Sequence, residues 1–182
     1  MWLVCLKKLK KLAEWVVKWF RKFFPKEIKM LYQPIETLKE LIPELSLKEK
    51  LLNAIEYSIG QDLDQSVPND VACVIQVCKV LQKVMEFPDL TYTPVLVRTL
   101  KADKRFEGTL DLDVGNIIVN ATGTGNNTVI GHTGFIWKNN VIVSNNSLTG
   151  KMDTFYTIES WRQRYRIKGE MMTQVFRLKI IS

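Results

Sequence analysis

Histidine is almost missing from this 182-residue chain: His132 is the only one. Multi-histidine metal centres are excluded, and any imidazole chemistry rests on a single residue. Cysteine is scarce as well. Cys5, Cys73 and Cys78 cannot all pair, and no two of them have the C-x-x-C spacing of a metal site. Cys73 and Cys78 are five positions apart, a poor geometry for a bridge on one helix. Neither a disulfide scaffold nor a zinc site is expected, and free thiols fit folding in a reducing compartment. Long uncharged apolar runs are absent too, because lysines interrupt each apolar stretch near the N-terminus. No window reaches the length of a transmembrane helix. No small-residue cleavage site follows, so no secretory signal peptide is expected. The Asn-x-Ser/Thr triplets at Asn120, Asn126 and Asn145 therefore carry no weight.

What is present describes a globular protein: 46% hydrophobic and 25% charged residues, with room for one ordinary domain and an appendage. The formal charge is +7, and all of the excess lies in residues 1–29, where nine Lys/Arg face two Asp/Glu. The rest of the chain is balanced. In residues 1–24, Trp2, Leu6, Leu9, Ala13, Val16, Phe20 and Phe23 recur at three- and four-residue spacings, with lysines and arginine between them. That is an amphipathic helix with an aromatic-rich face, limited by Pro25. Basic residues opposite Trp, Phe and Leu suit the interface of an anionic membrane. The plainer reading is a helix docked on the domain with its lysines solvated. Nucleic acid is not an expected partner, since the basicity is confined to this one segment.

Residues 30–182 are expected to form the folded domain, with residues 30–45 a short helical connector broken by Pro34 and Pro43. Ser46-Leu47-Lys48-Glu49 reads as a capping box opening a helix to about Ser58. A polar loop precedes an apolar helix over 69–87, with Val71, Val74, Ile75, Cys78, Leu81 and Met85 inward and Gln76, Lys79 and Lys83 outward. Thr93-Pro94 gives an N-cap and a first-turn proline for a helix to about Lys101. After Phe106 the runs at 117–119, 134–137, 141–143 and 175–178 read as strands. Lys138-Asn139-Asn140 is a tight turn, and 157–165 a last helix. Helices followed by strands predict an α+β fold with an antiparallel sheet.

Two residues invite a chemical reading. Cys73 lies near the start of the 69–87 helix, where a helix N-terminus can lower a thiol's pKa. His132, inside Gly131-His132-Thr133-Gly134-Phe135, is held by a strand and could serve as general base. Asn145 and Ser144, at the end of the next strand, are placed to orient the imidazole. The competing reading is packing alone, since cysteine is among the most buried residue types. Trp137, Tyr156 and Trp161 are candidates either for a substrate groove or for the core.

The run GNIIVNATGTGNNTVIGHTGFIWKNNVIVSNNSLTGKMDTFYTIESWRQRY (residues 115–165) resembles the C-terminal half of phage-encoded, NlpC-like cysteine peptidases. It carries a glycine-rich loop, a G-H-x-G-hydrophobic strand, an S-N-N-S-x-T-G segment and an S-W…R-Y helix, with Phe176-Arg177 in a closing strand. Upstream, SIGQDLDQSVPNDVACVIQVCKVL (residues 58–81) resembles the family's approach to its nucleophile. The resemblance spans residues 55–178. It implies a papain-like domain with Cys73 as nucleophile, His132 as general base and Asn145, or its rival Ser144, as the third polar residue. It implies hydrolysis of peptidoglycan stem peptides through a thioester, as in an endolysin of a bacteriophage, and no metal or organic cofactor. The implied setting is host cytoplasm, membrane surface or virion. Ala72-Cys73-Val74-Ile75 differs from the family, where glycine precedes the cysteine and alanine-glutamate follows it. Val114-Gly115-Asn116 stands where proline-glycine-aspartate is usual. The alternative is an inactive virion- or membrane-associated binding module on the same scaffold.

Overall fold

A computed structural model describes residues 45–68, 71–121, 131–167, 170–171 and 173–179. The expected amphipathic helix, the connector up to residue 44 and the glycine-rich loop at 123–127 lie outside the described residues.

The first described helix, α1 (Leu47–Ser58), begins where the capping box predicts. The Ser46 hydroxyl accepts from the Glu49 amide, and the Glu49 carboxylate accepts from the Ser46 amide. The next, α2 (Cys73–Gln82), is shorter than the predicted span. Its start is delayed because Pro68 and Val71 close a turn and Ala72 supplies no side-chain cap. At its far end, amides of Lys83, Val84 and Met85 turn back onto Val80 and Leu81. Two predicted orientations are reversed. Val71 precedes the helix and is 49% exposed, whereas Gln76 is fully buried. Then α3 (Thr93–Ala102) starts with Thr93 as its first residue and not as its cap; the cap position belongs to Tyr92.

The strands are β1 (Phe106–Thr109), β2 (Ile117–Asn120), β3 (His132–Trp137), β4 (Val141–Asn145) and β5 (Met152–Thr157). After α4 (Ile158–Arg164) come a two-residue pair, β6 (Arg166–Ile167) and β7 (Glu170–Met171), and finally β8 (Thr173–Leu178). Sequence pattern finds β2, β3, β4 and β8 but not β1, whose Glu107 and Gly108 break the apolar run, or β5, whose Asp153 and Thr154 do the same. A 3₁₀ turn at Lys138–Asn140 joins β3 to β4, with Asn139 and Asn140 at positive φ, a region asparagine tolerates.

Six strands form one sheet in the order β1-β8-β2-β3-β4-β5, every neighbouring pair antiparallel. The fold is thus α+β. Strand alternation gives the sheet two different faces. On one, Val119, Phe135, Val143 and Phe176 pack with Ile55 of α1, Val77 and Leu81 of α2 and Leu96 and Leu100 of α3. On the other, Ile118, Ile136, Ile142 and Val175 pack with Ile158 and Trp161 of α4 and with Tyr165. Gly134 allows β3 and β4 their close approach: a Cβ there would lie 2.5 Å from the Val143 carbonyl oxygen and 2.7 Å from Ser144 Cβ.

Candidate active site

The predicted residues lie at the end of the sheet where β2 finishes and β3 begins, Cys73 on its α2 face and the His132 ring on its α4 face. Cys73 is the first residue of α2 and is 6% exposed. The amides of Thr133, one peptide beyond His132, of Val74 and of Cys73 itself point their dipoles at its thiol. The last two are the expected helix N-terminal effect, and they pull the thiol pKa down. Burial outweighs them and pushes it up to about 11. Cys73 is therefore a neutral thiol at rest. Cys78, fully buried one and a half turns on, is core as expected, its thiol also pushed up to about 11, chiefly by burial.

His132 opens β3, and its ring lies on the face that α4 covers. It sits 5.5 Å from the Trp161 ring, 5.6 Å from Tyr156 and 6.3 Å from Tyr165, nearly parallel to the last. Its Nε2 edge is sealed and has no hydrogen-bond partner. Burial, and secondarily the Arg164 charge, lowers the imidazole pKa to about 4, so His132 is neutral at pH 7. Tyr165 packs beside His132 in the α4-face core. Its ring centroid lies 6.3 Å from that of Tyr156, and burial foremost, then the neighbouring Tyr156, raises its pKa.

The remaining candidates divide between the faces. Asn145 pairs with Met152, a core residue of the α2 face, so its side chain belongs with Cys73 and not with the His132 ring. Ser144 is fully buried opposite Gly134, on the His132 face, and its Oγ has no partner. Of the aromatic candidates, Trp137 is core on the α2 face and Trp161 core on the α4 face. Tyr156 is half-buried against His132.

Two neighbours of these residues escape a reading of the sequence. Gln76, one turn after Cys73, accepts at Oε1 from the Leu63 amide (3.1 Å) and donates from Nε2 to the Gly150 carbonyl (2.7 Å) and Asp62 (3.2 Å). It ties the approach loop and the β4–β5 turn to the cysteine helix. Its signal was a lone amide within an otherwise apolar run. Asn120, the last residue of β2, pairs directly with His132. Nothing short of the strand register reveals it.

Beside these residues a groove of about 710 Å³ runs between α4 and the β1–β8–β2 strands. Ile118, Ile158, Trp161 and Val175 form its floor, with Lys101 and Arg162 also in its lining. Among the described residues, no cluster of three or more His, Cys, Asp or Glu is placed to hold a metal ion, and no helix is long and apolar enough to cross a membrane. Neither a scan against protein families nor a search of curated proteins finds a match for this chain.

Proposed function

We propose that the chain is a phage-type peptidoglycan hydrolase of papain-like, NlpC-like build, cleaving stem-peptide amide bonds with Cys73 and His132. The observation that carries this reading is the placement of Cys73, whose thiol is influenced by the Thr133 amide, one peptide from the only histidine. A thiol at a helix start and a histidine at the adjoining strand start are the two groups this chemistry uses, with Cys73 on the α2 face and the His132 ring on the α4 face.

The resting pair is neutral, so the proton moves during attack and not before it. As Sγ bonds to the substrate carbonyl carbon, the thiol proton passes to the His132 imidazole. The imidazole must turn from Trp161 and Tyr165 over the end of β3 to receive it. The Cys73 amide, at the start of α2, is a donor for the developing oxyanion. Collapse expels the amine, which takes the proton from the imidazolium and leaves a thioester. Water, deprotonated by His132, then attacks the thioester to release the new carboxyl group and restore the thiol. The basic segment 1–24 carries the domain to an anionic membrane surface.

A second reading, a binding module without turnover, is favoured by the thiol held at about 11 and the imidazole at about 4, both far from an ion pair. Digestion of purified peptidoglycan by the wild type and Cys73→Ala, with products identified by mass, decides between them. The hydrolase releases stem-peptide fragments that the variant does not. Equal release by both removes Cys73 from the mechanism. Silence from both, with the folded protein still sedimenting with the wall, establishes the binding module.

A further inference from the structure

The α4 face of the sheet holds a row of polar side chains where apolar ones would be expected. Asn120 lies between two cross-strand partners, His132 on β3 and Thr173 on β8, so all three project to the same side. Thr173 Oγ1 is engaged, accepting from Trp161 Nε1 at 3.2 Å. Asn120 is not: it is 1% exposed, and both its Oδ1 and its Nδ2 are buried without a partner. His132 Nε2, on the residue directly opposite, is in the same condition. A buried polar atom left unsatisfied is costly, and two complementary ones on paired residues have an obvious use. A carboxamide oxygen accepts one hydrogen bond from a neutral imidazole N–H and so selects which nitrogen carries the proton.

We infer that Asn120, and not Asn145, is the positioning residue of His132: in the resting position on the α4 face its Oδ1 takes the Nε2–H, which keeps Nδ1 unprotonated for the moment the ring turns towards Cys73. Directly opposed side chains start about 4.5–5.5 Å apart at Cβ, so a rotamer adjustment closes the contact. Asn145 belongs to the α2 face with Met152. Other titratable groups around the ring are Arg164 and Tyr165 following from α4, Tyr156 from β5 and, past the strand end, Cys73. None of them offers a neutral carboxamide acceptor. The orientation stands on the strand register; its catalytic meaning rests on the hydrolase reading above.

Because His132 is the only histidine, multiple-bond ¹⁵N–¹H spectra of the labelled full-length chain show one imidazole. The wild type should carry its proton on Nε2 at pH 7. Asn120→Leu should give a mixture of tautomers, and Asn120→Asp should raise the His132 titration midpoint by about one unit or more. Asn145→Ala should change neither. A wild-type proton on Nδ1, an unmoved tautomer and midpoint in folded Asn120→Leu, or a shift in Asn145→Ala would each overturn the assignment. Should Asn120→Leu fail to fold, the wild-type spectrum and Asn120→Asp still decide. Wall digestion by the wild type is scored separately, so loss of the hydrolase reading and loss of this assignment are distinguishable.

Discussion

At the level of single residues, the site is governed by the cost of burying charge. His132 refuses a proton that it would bind readily in water. Its folded pKa of about 4 lies below the ordinary 6.5, so between those values the unfolded chain binds the extra proton. Stability attributable to this residue is intact above pH 6.5 and declines as the pH falls towards 4. At pH 5 the loss is about 2 kcal/mol. Urea unfolding at pH 7, 6 and 5 should show that decline in the wild type and not in His132→Gln; parallel behaviour would mean the ring is open to water. Asp64, Asp89 and Asp103, whose pKa values are lowered chiefly by hydrogen bonds, lose their contributions at lower pH, so the comparison stops at 5. Cys73 and His132 were visible in the sequence because each is a rare residue type in a recognisable context. Gln76 and Asn120 were not, since their roles come from partners 74 and 12 positions away.

Elements follow the same division between local and distant causes. The start of α1 and the start of α4 are set by capping boxes written in four consecutive residues, at Ser46 and Thr157, and the first is legible for that reason. The ends of α2 depend on a turn and on tertiary packing, and periodicity alone overextends them. Strands β1 and β5 flank the sheet and carry polar residues because an edge strand is only partly covered. Gly134 makes the closest test of an element's packing. In Gly134→Ala the new methyl meets backbone and Cβ atoms of β4 that have little freedom to retreat. The variant should lose about 1–3 kcal/mol on urea unfolding, and its β3–β4 amides should exchange faster than in the wild type. Unchanged stability would show that the two strands can part without cost.

At the level of the molecule, the charge distribution divides the chain in a way the fold does not require. All of the net positive charge belongs to residues 1–29, and the remainder is neutral overall. Deleting residues 2–24 should abolish sedimentation with anionic vesicles while the rest keeps its cooperative unfolding transition. A truncated chain that is insoluble or unfolded would establish the docked-helix alternative instead. The α+β class was legible from the change of pattern after Phe106, but the order of strands was not, because no local signal tells β8 where to insert. That insertion has a consequence for how the protein is made. The last strand lies between β1 and β2, bonded to both, and contributes Phe176 to one core and Val175 to the other. A nascent chain that has delivered everything up to β7 has a slot in the middle of its sheet and two unfinished cores. The sheet cannot close until β8 has been made, so any wall-cutting activity stays dormant on the ribosome until that strand has been delivered.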